Sequence, residues 1–216
     1  MSYRPPRTVY HGTDASFETF DTSRSFGAHF GTRKAGLDRL KSTGRSRIEY
    51  IPYKDHAGRW WALEEMLSNR PRFEHGPFTD ESSTLDFIDN APRQRQPLAF
   101  EIDAYRPLVL PDLGTWEFQA VVRQLQKQSP DTFGPSVDDW YLSWNRSSEA
   151  GWAAVHQTLT TAGYDCICYL NETEDPGELS WIVWDSSRIH PAWSPPALAQ
   201  RDFEEEEASV PQELPT

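Results

Sequence analysis

Val9-Tyr10-His11-Gly12-Thr13, followed by Phe26-Gly27-Ala28-His29-Phe30-Gly31-Thr32, sets two clusters of His, aromatic, Gly and Thr within one short loop of each other. Each follows or contains a short apolar, strand-like run. The pattern returns near the other end, where Gly163 to Leu170 leads through Asn171-Glu172 into Ser180-Trp181-Ile182-Val183-Trp184-Asp185. Polar clusters at the ends of distant strands predict a cleft assembled from separate parts of one domain, and a cleft of that kind points to an enzyme.

Working outward, Thr8 to Tyr10 reads as a first strand, and His11 to Ser25 as a polar loop anchored by Phe17 and Phe20. Thr32 is placed to cap a helix over residues 33 to 42, closed by Ser42-Thr43-Gly44. Ile48 to Tyr53 has strand character. Between residues 54 and 95 the signals are weak: Trp60-Trp61 reads as the start of a short helix, Asn69-Arg70-Pro71 as a turn, and Leu85-Phe87-Ile88 as a helical turn. Alternation predicts strands over Pro97 to Asp103 and Leu108 to Leu110. Phe118, Val121, Val122 and Leu125 form one helical stripe, and Trp152, Val155 and Leu159 another, capped by Ser147 or Ser148 and stopped by Gly163. Strands over Tyr164 to Tyr169 and Trp181 to Trp184 flank an acidic turn, Glu172 to Glu178. The expected organisation is a single domain over residues 1–192, with an insertion around 54–95, and an acidic, disordered tail over 193–216.

Composition narrows the function classes. The net charge of −12 argues against broad affinity for nucleic acid. The residues from Arg201 onward carry −5 of it, which leaves about −7 for the body. Within the body Arg33, Lys34, Arg39, Lys41, Arg45 and Arg47 make a basic island interrupted by Asp38. It reads either as a solvated helix face, the simpler account, or as a phosphate-friendly surface. Met1 to Arg7 has no apolar core of a signal peptide, and no run reaches membrane-spanning length. With Cys166 and Cys168 two apart on one strand, no disulfide staple between distant segments is expected, and the simple reading is a cytoplasmic protein. His56, His75, His156 and His190 lack metal-ligand spacing, so no metal is expected. Neither a phosphate-binding Walker loop nor Gly-x-Gly-x-x-Gly is present.

In order along the chain, Tyr10 to Thr13, Gly27 to Thr32 with Ala35, Phe100-Glu101-Ile102 through Arg106 to Trp116, and Gly163 to Glu172 with Ser180 to Asp185 and Ile189 resemble the ADP-ribosyltransferase superfamily. The likeness is greatest to the bacterial and phage branch of polymorphic toxins and polyvalent proteins. It covers about a third of the chain. It implies an α+β fold with a split two-sheet β core, flanking helices and a cleft for NAD as co-substrate. It further implies cleavage of the nicotinamide–ribose bond and transfer of ADP-ribose to a macromolecular acceptor, a protein before a nucleic acid, with no membrane involvement. A cognate inhibitor or immunity protein, and delivery into a target cell, belong to the same setting.

The resemblance also assigns roles. His11 would hydrogen-bond the nicotinamide ribose, Gly12 would let backbone approach the carboxamide, and Thr13 would tie down the loop. Phe30, with His29 second, would stack on the nicotinamide ring. The family's poly-ADP-ribosylating members carry Glu where this chain has Ser180. In the toxin-like branch the acid falls earlier, in an Asn-Glu at the end of the preceding strand, here Asn171-Glu172. The resemblance thus implies Glu172 as the carboxylate, with Glu178 and then Glu174 in reserve, against the alternative that all three merely solvate a turn around Pro176-Gly177. Two other readings stay open: a degenerate NAD- or partner-binding module, and an NAD glycohydrolase that uses water as acceptor.

Overall fold

The computed structural model describes residues 5–6, 8–13, 20–65 and 74–192. The expectations for Phe17, for the turn at Asn69-Arg70-Pro71 and for the 193–216 tail lie outside them.

The first strand, β1 (Val9–His11), is followed by β2 (Ala28–Phe30). Helix α1 (Arg33–Ser42) starts where the Thr32 side chain accepts the Ala35 N–H, as the sequence predicts. A small unit of β3 (Glu49–Lys54), β4 (Trp60–Glu65), β5 (Glu74–Phe78) and α2 (Glu81–Asn90) comes next. Then come β6 (Leu98–Ile102), β7 (Pro107–Leu110), α3 (Phe118–Gln128), α4 (Pro130–Phe133), α5 (Val137–Trp144) and α6 (Ser148–Thr161). Strands β8 (Cys166–Leu170), β9 (Leu179–Val183) and β10 (Ile189–Pro191) complete the described chain. The protein is α+β.

Two sheets make the main body. One has the order β1-β6-β10 and is antiparallel; the other has the order β2-β9-β8-β7, with only β7 and β8 parallel. Alternation along the strands of the second sheet assigns each face a partner. Cys166, Cys168, Trp181 and Val183 pack against Val9, Phe100, Ile102 and Ile189 of the first sheet. Ile167, Tyr169 and Ile182 pack instead on Val121, Leu125, Trp140, Trp152 and Leu159 of the helices. The four-stranded sheet is therefore a middle layer covered on both sides, which is why β8 and β9 read as nearly continuous apolar runs. Trp140 is part of this helical core, 1% exposed, with its indole N–H donated to Thr158. The two cysteines are buried in the apolar layer, and burial raises both thiol pKa values, so they are packing residues.

The two sheets touch at their edges through one backbone bridge, Tyr10 with Gly31, whose N–H···O distances are 2.9 and 3.0 Å. Beyond that pair the ladder stops and the sheets diverge. At the split the His11 side chain replaces a ladder bond, its Nδ1–H donating to the His29 carbonyl at 2.7 Å.

The third sheet, β3-β4-β5, corrects the sequence reading of Trp60-Trp61 as a helix start. Leu63, Glu64 and Glu65 favour helix locally, but the preceding Asp55-His56-Ala57-Gly58 segment makes a tight turn with Gly58 at φ +80°. Asp55 accepts the Arg59 N–H and the Trp61 indole N–H at 2.8 and 3.1 Å, which folds the chain back on β3. Cross-strand pairing then overrides propensity.

Candidate functional site

A cavity of about 390 Å³ opens where the two main sheets part. This is within the range of small-molecule sites and large enough for one half of a dinucleotide. Five segments contribute to its wall: the end of β1 with Gly12, strand β2, helix α1, and the two loops that follow β7 and β8.

The first wall depends on glycine. A Cβ on Gly12 would lie 2.4 Å from the Gly36 carbonyl oxygen and 2.9 Å from Arg39 Cβ, so only glycine lets β1 run this close to α1. Gly12→Ala is expected to cost about 1–3 kcal/mol through overpacking. That would lower the thermal midpoint by roughly 2–10 °C. Gly134→Ala is the control, since its Cβ would meet nothing within 4 Å, and it should leave the midpoint in place.

The close approach of α1 brings Arg39 into the cavity wall. His11 and His29 lie in the same wall. Burial lowers the pKa of His11, and burial together with His11 and Arg39 pushes His29 down to about 3. Both rings are therefore neutral near pH 7. Because Nδ1 of His11 donates to a carbonyl, its Nε2 is an acceptor in that state.

His156 is depressed to about 4 by burial, in a stack between Trp152 and Trp184, and donates Nε2–H to the Phe26 carbonyl at 3.0 Å. These histidines have folded pKa values below the unfolded value, so the unfolded chain takes up protons first as pH falls. Stability is then complete above about pH 6.5 and is lost downward, by about 2 kcal/mol each for His29 and His156 at pH 5. Urea midpoints at pH 7 and pH 5 measure this, and His156→Leu should remove about 2 kcal/mol of the acid loss.

The loop between β8 and β9 is organised by Asn171, 2% exposed. Its Oδ1 accepts the N–H groups of Thr173, Glu174 and Asp175 at 2.9, 2.8 and 3.2 Å. Its Nδ2 donates to Glu174 Oε2 and to Ser180 Oγ, each at 3.1 Å. Asp112 in the loop after β7 fastens the same turn from the other side, accepting the Glu172 N–H at 2.9 Å and the Gly114 N–H at 2.9 Å. Lys34 holds Asp175 at 2.9 Å, and Arg39 stands 3.8 Å from Glu174.

This turn decides which acid reaches the cavity. Glu174 lines it; Glu172 and Glu178 are exposed and lie outside its wall. Glu172, the carboxylate expected from the sequence, is thus placed outside the wall, where the Asn171 side chain winds the chain so that the third residue after it lines the cavity. Ser180 is buried, 2% exposed, with its hydroxyl held by Asn171. Gly12, His11, His29 and Phe30 all contribute to the wall, whereas Thr13 is not part of it.

Phe30 does not offer a free face. It is 2% exposed and meets Phe20, Phe100 and His11 at centroid distances of 5.4, 5.6 and 5.7 Å. Sequence reasoning gave Trp116 no role beyond its place in a motif and took Arg39 as part of the basic island, yet both line the cavity. The spacing of Gly36 and Arg39, one helical turn apart and opposite Gly12, was the available signal for Arg39.

The basic island is largely neutralised. Lys34 pairs with Asp38 and Asp175, Lys41 with Asp38, and Arg47 with Glu49, which favours the solvated-face reading over a phosphate surface. Among the described residues, no group of three or more His, Cys, Asp or Glu is arranged to hold a metal ion. No helix among them is long and apolar enough to cross a membrane. No protein-family model, curated protein or solved structure matches the chain.

Proposed function

We propose that the chain is an NAD-dependent ADP-ribosyltransferase with the split-sheet architecture of that superfamily, and that Glu174 is its carboxylate. The observation that carries this reading is a carboxylate held in the same cavity as the His11–His29 pair, by Asn171 on one oxygen and Arg39 nearby. The glycine-rich wall and the cavity volume fit the nicotinamide–ribose half of the dinucleotide.

Each residue then has a task that its chemistry allows. The C–N bond between C1′ and nicotinamide breaks with its electron pair leaving on the neutral nicotinamide, so no general acid is needed. Positive charge develops on the ribose, and the Glu174 carboxylate stabilises it in a partly dehydrated site. Neutral His11 accepts a hydrogen bond from a ribose hydroxyl through Nε2, which fixes the sugar for attack. The acceptor's nucleophile bonds to C1′ and its proton passes to Glu174, which acts as general base. Asp112, Asn171 and Gly12 act through the position of these groups.

The ion-paired state of the basic island supports a protein acceptor over a nucleic acid. NAD labelled on its adenylate phosphate, incubated with the chain and a cell lysate, should release nicotinamide and leave label on protein. Release with all label in free ADP-ribose would mean a glycohydrolase. Binding of NAD without release would mean a degenerate module.

A further inference from the structure

A line of polar side chains runs along the cavity wall from Asn171 through Ser180 and Tyr169 to His29. It starts at an amide whose orientation is fixed, because Asn171 Oδ1 accepts three backbone N–H groups. Nδ2 of Asn171 is therefore a donor, and Ser180 Oγ receives one of its hydrogens at 3.1 Å. Ser180 is 2% exposed and lies directly opposite Tyr169 across β8 and β9. Among the described residues, the Tyr169 phenol is the other hydrogen-bonding partner of the Ser180 hydroxyl. The buried Ser180 hydrogen is paired when it is given to Tyr169 Oη and orphaned when it is not. Tyr169 then has its own hydrogen to give. Burial raises the phenol pKa, so that hydrogen stays in place at neutral pH. His29 Nδ1 stands 3.5 Å from Oη, with the two rings at 70° to each other.

His29 is neutral, so one of its ring nitrogens carries a hydrogen and the other accepts. We infer that Tyr169, oriented by Ser180 and Asn171, is a positioning residue that makes Nδ1 of His29 an acceptor and leaves the ring hydrogen on Nε2. His11 has the opposite arrangement, since its Nδ1–H donates to the His29 carbonyl. The two imidazoles of one wall thus differ at Nε2, an acceptor on His11 and a donor on His29. A neutral group that both gives a hydrogen and offers a lone pair, such as a diol or a primary amide, matches this pair. A carboxylate, which only accepts, does not. The assignment is a property of the ligand-free wall and goes beyond the NAD reading above.

Nitrogen NMR of the imidazole rings in the isotope-labelled, ligand-free full chain at pH 7 tests this. Tyr169→Phe and Ser180→Ala are measured beside the wild type, with His29→Gln to assign the signals. Wild-type His29 should show a protonated Nε2 and a hydrogen-bonded Nδ1. Tyr169→Phe keeps the ring and removes the hydroxyl, so His29 Nδ1 should move downfield, toward a nitrogen with no donor. His156 is the fold reference, because its Nε2–H is tied to the Phe26 carbonyl, and its signals should stay in place. Ser180→Ala should move His29 Nδ1 the same way by a smaller amount. Wild-type His29 protonated at Nδ1 would overturn the inference, as would a Tyr169→Phe chain with His29 Nδ1 unmoved. If Tyr169→Phe also disturbs His156, Ser180→Ala decides: a downfield move confined to His29 supports the chain of hydrogen bonds, and no move overturns it. Nicotinamide release is not read in this experiment, so the NAD reading stands or falls on its own test.

Discussion

Glu174→Gln is expected to slow nicotinamide release about 10²–10³-fold while changing NAD affinity less than about three-fold. The substitution keeps the shape of the side chain and an oxygen for the Asn171 amide, which now stands 3.1 Å from Oε2. It removes the negative charge, and with it the stabilisation of the developing ribose cation and the base that takes the acceptor's proton. Because both functions belong to the transition state, the loss should fall on kcat and leave KM nearly unchanged. Glu172→Gln and Glu178→Gln are the matched controls. Both side chains are exposed and outside the cavity wall, so each should retain release within about three-fold of wild type. A loss confined to Glu172→Gln would return the role to that residue and would require the turn to rearrange when NAD binds.

Asn171→Ala should have the largest effect on stability. One buried side chain satisfies three backbone N–H groups and donates twice, to Glu174 and Ser180. Its removal leaves those donors to find water or stay unpaired, at a cost of about 2–4 kcal/mol. The expected drop in thermal midpoint is roughly 5–15 °C. The turn would also lose its winding, so Glu174 would no longer be fixed in the cavity, and release should fall about as far as in Glu174→Gln. Ser180→Ala separates the two effects. It removes one of the five bonds and leaves the three N–H groups capped, so it should cost about 1 kcal/mol and spare most of the activity.

The sequence made much of this architecture legible, because the signals involved were local. Thr32 with α1, Ser147 with α6, and the stripes of Phe118 to Leu125 and Trp152 to Leu159 all depend on neighbours within a turn or two. Strands β6 through β9 were marked by alternation or by apolar runs between turns. What the sequence left hidden came from long-range choices. Trp60-Trp61 became a strand because β3 and the Asp55 turn captured it. Arg39 joined the cavity because Gly12 and Gly36 admit α1 against β1. The inward acid was settled by the hydrogen bonds of a single Asn171. An Asn followed by Thr-Glu-Asp-Pro-Gly is a recognisable side-chain-capped turn, but a motif of this kind does not say which of its acids faces a cavity built elsewhere. Likewise the apolar neighbours of Phe30 and the half-open position of Trp116 depend on how the sheets pack, which residue types alone do not specify.

The most direct measurement is nicotinamide release from NAD by the purified wild-type chain in the presence of a cell lysate, compared with Glu174→Gln under the same conditions. Release by the wild type that disappears with Glu174→Gln and survives Glu172→Gln is the predicted result. Undetectable release by the wild type, or release that Glu174→Gln leaves intact, would contradict the assignment of Glu174 as the carboxylate of an NAD-cleaving site.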